Sequence, residues 1–194
     1  VTAYYNGRNG LPYTWLIDGD LNGDSIDQDP AYVPLVDDPI VSYGNATTEQ
    51  IAAFHEFIAR NPYLDSRRGT IANRNGDRLP WVNQVDLGIQ QELPGFFKGH
   101  KSVIRLDIYN FLNLLDRDWG VTHSVGGFDT RNLVVLAGIN PDGTYVYDLG
   151  RDNPATPEVE IPNVQPLTDY DASAAFPNRL VSRWSAMLTF RYQF

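Results

Sequence analysis

The stretch LVSRWSAMLTFRYQF, residues 180–194, decides how the chain is read. Taken at alternate positions, Leu180, Ser182, Trp184, Ala186, Leu188, Phe190, Tyr192 and Phe194 form one set. Val181, Arg183, Ser185, Met187, Thr189, Arg191 and Gln193 form the other. Side chains on a strand alternate faces, so one face is apolar and aromatic and the other polar and cationic. A water-soluble sandwich could give the same alternation. Two details favour a membrane strand: the aromatics cluster at one end, and the sequence stops on one of them. A lipid-facing strand needs about 9–11 residues and carries aromatics where it meets the interface.

Two more strands of this kind lie upstream. In residues 85–93 the apolar set is Val85, Leu87, Ile89 and Leu93, interrupted by Gln91, and the opposite set is polar. In residues 102–112 Ile104, Leu106, Ile108 and Leu112 alternate with Arg105, Asp107 and Tyr109. Asn110 breaks that apolar face, which a membrane tolerates only near its boundary. Asp86, Glu92, Arg105, Asp107, Arg183 and Arg191 all fall on polar faces, where cross-strand ion pairs in a wet lumen are expected. At the start of the chain, residues 1–5 and 13–17 read as short aromatic strand segments around a Gly-, Asn- and Pro-containing break.

With membrane strands at about 1–17, 82–93, 101–112 and 180–194, the connections run long, short, long. Outer-membrane barrels have short periplasmic turns and long extracellular loops. That pattern makes 18–81 and 113–179 extracellular, 94–100 a periplasmic turn and the C-terminus periplasmic. Val1 falls inside strand-like sequence, so the chain is expected to be a piece of something longer.

Composition agrees and excludes other classes. The 11 Tyr, 9 Phe, 13 Pro and 16 Gly suit many strands joined by turns. A formal charge of -9 argues against a nucleic-acid partner, which calls for basic patches. Absence of cysteine removes disulfides, thiol nucleophiles and cysteine metal sites. No apolar run approaches the roughly 18 residues of a membrane helix.

One helix is expected, over 47–60: Thr47 and Gln50 make a capping box, Ile51, Phe54, His55 and Ile58 share a face, and Asn61-Pro62 ends it. It reads as decoration within a loop, and His55 as a packed histidine rather than a ligand. Residues 65–79 read as loop. Residues 133–139 and 144–149 flank Asn140-Pro-Asp-Gly143, a hairpin signal, and 150–178 read as irregular loop.

The stretch from Asp18 to Asp29 is the one candidate for metal chemistry. Asp20, Asn22 and Asp24 have the one-three-five spacing of a calcium loop, and Asp27 and Asp29 could add oxygens. The sixth position is Ser25 rather than Gly and the twelfth is Ala31 rather than an acid. The competing account is an Asx-rich turn whose side chains bond their own backbone. His55, His100 and His123 are scattered and no carboxylate pair has diagnostic spacing, so no enzyme is expected.

A set of segments in order through nearly the whole chain resembles a known family. They are YYNGRNGLPYTW (4–15), GDLNGD (19–24) leading to AYVP (31–34), RLPWVNQVDL (78–87), LDIYNFLNLL (106–115) with DWG (118–120), and LTFRYQF (188–194). Together they resemble the C-terminal end of TonB-dependent outer-membrane receptors, in particular the Oar-like group. The resemblance implies an all-β fold, the C-terminal part of a Gram-negative transmembrane β-barrel of about twenty-two antiparallel strands. It implies active uptake of a bulky or scarce substrate, with lipid around the wall. TonB would be contacted through the N-terminal part of such a protein, which also holds the plug. Leu188, Phe190, Tyr192 and Phe194 resemble the signal that delivers barrels to the assembly machinery. The alternative is a soluble, calcium-dependent all-β binding or adhesion module.

Overall fold

A computed structural model describes residues 1–125, 129–149, 176–177 and 182–194. Strand predominates over helix, in antiparallel and mixed sheets, and among the described residues these sheets are not closed into a barrel. It divides into two compact units, one made of residues 1–10, 79–124 and 177–194 and the other of 11–78 and 125–176.

The first unit is a four-stranded antiparallel sheet. Numbering along the whole chain, its strands are β1 (Thr2–Arg8), β7 (Val82–Pro94), β8 (Lys101–Tyr109) and β13 (Ser185–Gln193), in the order β1-β7-β8-β13. Each of the four expected strand segments contributes to this sheet, but the boundaries differ. The first ends at Arg8, and two residues on, the backbone at Gly10 lies too close to that of Leu79 to admit a Cβ. The third ends at Tyr109, because Asn110 turns left-handed with φ 51° and enters a short helix, α3 (Phe111–Leu115). The fourth begins at Ser185, and residues 180 and 181 lie outside the described residues.

The second unit holds more structure within 18–81 and 113–179 than the one helix and the one hairpin expected there. It contains β2 (Pro12–Asp18), β3 (Tyr32–Val33), β4 (Val41–Ser42), α1 (Thr48–Arg60), α2 (Pro62–Ser66), β5 (Thr70–Ile71) and β6 (Asp77–Arg78). Later in the chain it adds β10 (Thr130–Ile139) and β11 (Tyr145–Asp148). The two-residue strands β9 (His123–Ser124) and β12 (Phe176–Pro177) complete the order. Its main sheet runs β4-β11-β10-β2-β6, with β2 parallel to β10. Residues 13–17 therefore leave the first sheet and enter this one, buried on both faces from Tyr13 to Ile17. A strand covered on both faces reads as a continuous apolar run rather than an alternation.

Local chemistry accounts for the other elements. Thr47 and Gln50 form the capping box of α1, with both reciprocal hydrogen bonds present. Asn61 ends α1 and also caps α2, its Oδ1 accepting from the backbone N–H of Tyr63 and Leu64. Pro62 thus starts a helix as well as following one, since proline at the first helical turn forfeits no hydrogen bond. The expected loop 65–79 accordingly holds the end of α2 together with β5 and β6. The expected hairpin is present: β10 and β11 pair antiparallel, and Asn140 N–H donates to Thr144 C=O at 2.9 Å. The expectation for 150–178 lies outside the described residues, save 176–177.

The core of this unit holds Trp15, Tyr13, Phe54, Phe57, Ile58, Leu64 and Tyr147. One buried carboxylate, Asp77, ties three of its parts together. Its Oδ2 accepts from Tyr13 Oη (2.7 Å), Trp15 Nε1 (2.8 Å) and Asn61 Nδ2 (2.9 Å), while Oδ1 accepts from Arg78 N–H (2.7 Å). A buried donor left without an acceptor costs about 1–3 kcal/mol. Asp77→Ala should therefore destabilise this unit by at least about 2 kcal/mol, and Asp77→Asn, which keeps one oxygen, by less. Faster hydrogen exchange of the β2 amides would register the difference; unchanged protection in Asp77→Ala would refute the linking role.

Candidate functional site: a sheet with one apolar face

Strand register sorts the side chains of the first unit. Ala3 pairs with Leu87, Leu87 with Ile108, and Ile108 with Ala186. One step along, Ile89, Leu106 and Leu188 form a row, and beyond it Gln91, Ile104 and Phe190. Directly paired residues share a face, so these rows build one apolar surface. The intervening rows are Gly88, Asp107 and Met187, then Gln90, Arg105 and Thr189, then Glu92, Val103 and Arg191, and they form a mainly polar face.

Among the described residues, side chains on the apolar face stand exposed. Leu188 is 72% and Phe190 57% accessible, and Ile89, Leu93 and Ile104 are also exposed. Aromatic side chains collect at both ends of it. At one end are Tyr5, Trp81 and Trp184, with Tyr5 Oη and Trp81 Nε1 both donating to Asn83 Oδ1 at 2.7 and 3.0 Å. At the other, Tyr192 stacks on Phe96 with ring centres 5.6 Å apart, and its Oη lies 2.7 Å from His100 Nδ1. Trp184 and Tyr192 are eight residues apart, about 26 Å at the usual strand rise. An outward apolar band between aromatic girdles in a membrane barrel is about 25 Å tall.

The polar face carries an ion pair, though not the expected cross-strand kind. Arg105 and Asp107 lie two apart on β8 and meet in a two-pronged contact, Nε to Oδ2 and Nη2 to Oδ1, each 2.8 Å. Register places Val103 between Glu92 and Arg191, so those two opposite charges are held one strand further apart.

Both long connections leave from one end of this sheet, where Arg8 pairs with Val82 and Tyr109 with Ser185, and the turn after β7 lies at the opposite end. At the former end a compact elbow ties β8 to β13. Asn110 N–H donates to Asp86 Oδ1 (2.7 Å), and Asn110 Nδ2 to the carbonyls of Gly120 (3.0 Å) and Ser182 (2.6 Å). Asn113 Nδ2 donates to the carbonyls of Arg117 and Trp119, and its Oδ1 accepts from Trp184 N–H. Asn110 thus leaves the strand at its end and is buried with its donors used. Gly120 has φ 63°, and a Cβ there would collide with Asn110 Oδ1. Gly120→Ala should lower the thermal midpoint, at a cost of at least about 1 kcal/mol from the left-handed backbone alone; near-UV dichroism of the chain in micelles would measure it, and an unchanged midpoint would contradict the elbow.

In the second unit, the 18–29 stretch is a hydrogen-bonded Asx turn. Asp20 Oδ1 accepts from Asn22, Gly23 and Asp24 N–H, and Oδ2 from Ser25 N–H at 2.7 Å. Asn22 Oδ1 accepts from Asp24 N–H, and Asp24 Oδ1 from Ile26 N–H. These bonds, led by that of Ser25, hold the Asp20 carboxyl below its ordinary value. Asp29 accepts from Leu21 N–H and Asn22 Nδ2, and Asp27 is exposed. Among the described residues, no three His, Asp or Glu side chains group closely enough to hold a metal ion.

His55 is packed, as its place on the apolar face of α1 implies. Arg68 Nη1 sits 3.2 Å from its Nδ1 and Tyr43 Oη 2.9 Å from its Nε2. A guanidinium only donates, so Nδ1 accepts and the proton resides on Nε2. Burial, reinforced by the Arg68 charge, lowers the His55 pKa below 6.5. The unfolded chain then takes up the proton first on acidification, so this contribution is full above pH 6.5 and lost as pH falls through the lowered folded value. His55→Gln should therefore flatten the fall in thermal midpoint between pH 7.5 and 5.5; an unaltered slope would exclude His55 as its source.

The four terminal-strand residues singled out from sequence lie together: Leu188 and Phe190 on the open apolar face, Tyr192 in the aromatic cluster, and Phe194 98% accessible. The elbow of Asn110, Asn113 and Gly120 escaped a reading by periodicity, since its partners are distant backbone carbonyls. Comparison with known protein families, curated proteins and solved structures finds no match.

Proposed function

We propose that the four-stranded sheet is a section of the wall of an outer-membrane β-barrel. In this reading the chain is the C-terminal part of a TonB-dependent receptor that takes up a bulky or scarce substrate. The observation that carries the wall assignment is the exposed apolar face bounded by aromatics at both ends. Water penalises such a surface at roughly 25 cal/mol per Å², whereas lipid does not. The positions of β1 and β13 at the edges of the sheet, with no further strand beside them among the described residues, support it as well, because neighbouring strands of a barrel would pair there.

In this reading the polar rows face the lumen, the short turn is periplasmic, and the two long connections are extracellular and meet the ligand. Uptake and coupling to TonB rest on the family resemblance. Leu188, Phe190, Tyr192 and Phe194 would then be read by the assembly machinery. A calcium-dependent role for the 18–29 turn, with Asp20, Asn22, Asp24 and Asp27 as ligands, is the second reading, and it rests on their spacing in the sequence. Ion binding there would exchange backbone hydrogen bonds for metal–oxygen bonds.

Paired substitutions on adjacent residues test the wall. Leu188→Arg puts a charge on the face assigned to lipid, Thr189→Arg on the face assigned to the lumen. A cation at the lipid midplane costs about 2–4 kcal/mol. Leu188→Arg should lower the free energy of folding into bilayers, read from urea titration, by that amount, with Thr189→Arg close to neutral. Equal effects, or partition of the wild-type chain into the aqueous fraction, would overturn the assignment.

A further inference from the structure

The turn between β7 and β8 has chemistry beyond what a connection requires. Residues 95–99 read Gly-Phe-Phe-Lys-Gly, and Phe96 and Phe97 are 81% and 70% accessible. The turn is ordered by Gly95 N–H donating to His100 C=O and His100 N–H donating to Phe97 C=O, each at 3.0 Å. Gly95 leaves no room for a Cβ against His100, and Gly99 has φ 92°. Backbone is thus committed to holding two phenyl rings out, with the exposed Lys98 beside them. Phe96 also stacks on Tyr192, which aligns the turn with the end of the apolar face.

We propose that this turn is a membrane-interface anchor: Phe96 and Phe97 enter the acyl boundary while Lys98 pairs with the phosphate of an anionic phospholipid. The proposal rests on the wall reading above. Aromatic rings favour the boundary between acyl chains and headgroups. A lysine near an anionic surface gains roughly fivefold in occupancy of the docked state, so lipid charge should be felt at this turn. A soluble partner protein would find the same phenyl rings, but it would not make the turn respond to headgroup charge.

The test uses the full chain reconstituted into bilayers, either of phosphatidylcholine alone or with phosphatidylglycerol added. The chain has no cysteine, so single-cysteine variants give unambiguous labels. A fluorophore at Leu188→Cys reports on the wall, and one at Phe96→Cys, with Phe97 retained, reports on the turn. The Leu188 label should be quenched by lipids brominated on the acyl chain. The Phe96 label should be quenched by the same lipids, and acrylamide should reach it several-fold less readily with phosphatidylglycerol present. Lys98→Gln should abolish that dependence on lipid charge, and Phe97→Ser should restore acrylamide access in both bilayers. Failure to quench Leu188 would remove the wall reading and this proposal with it. Quenching at Leu188 with equal acrylamide access to Phe96 in both bilayers would overturn the anchor and leave the wall standing.

Discussion

The register of β7 against β8 is the constraint on which the first unit depends. Because side chains alternate with a period of two, a slip by one residue would move every apolar group to the other face. Leu87 opposite Ile108 and Ile89 opposite Leu106 keep the apolar rows continuous, and β1 and β13 inherit that phase from the strands they join. The register is pinned at both ends. At one, the 95–100 turn closes with two backbone hydrogen bonds; at the other, Asp86 on β7 holds the N–H of Asn110 at the end of β8.

Two different solutions to burial coexist in this chain. In the second unit apolar surface is removed from water in the usual way, around Trp15, Phe54, Phe57 and Tyr147. Two buried polar clusters are satisfied inside it: Asp77 collects Tyr13, Trp15 and Asn61, and the His55 ring sits between Arg68 and Tyr43. The first unit leaves apolar side chains exposed on one face and pairs Arg105 with Asp107 on the opposite one. The physical separation lies in alternation: β2 is buried on both faces, whereas β7, β8 and β13 keep two distinct ones.

The 106–120 segment shows why a run of unremarkable residues can matter. Asn110, Asn113 and Gly120 have no periodic pattern and no catalytic chemistry. The side-chain amides of Asn110 and Asn113 instead replace missing backbone partners where β8 ends and β13 begins, satisfying the carbonyls of Gly120, Ser182, Arg117 and Trp119. Polar backbone at the end of a strand needs such partners wherever water is scarce.

The sequence by itself determined segments of all four strands of the first sheet, the apolar face of β7, β8 and β13, the α1 capping box and the β10–β11 hairpin. All of these rest on interactions within a few residues or on a strict period, which a linear reading detects. Asn110 was legible as a break in the apolar face, though not as the end of the strand, and His55 as a packed residue. Only the tertiary structure decided that residues 13–17 abandon the first sheet for a parallel partner more than a hundred residues away, and that two apparent loops share a core. Parallel pairing and buried acceptors such as Asp77 depend on contacts between distant segments, and the short strands that make them carry no period long enough to read.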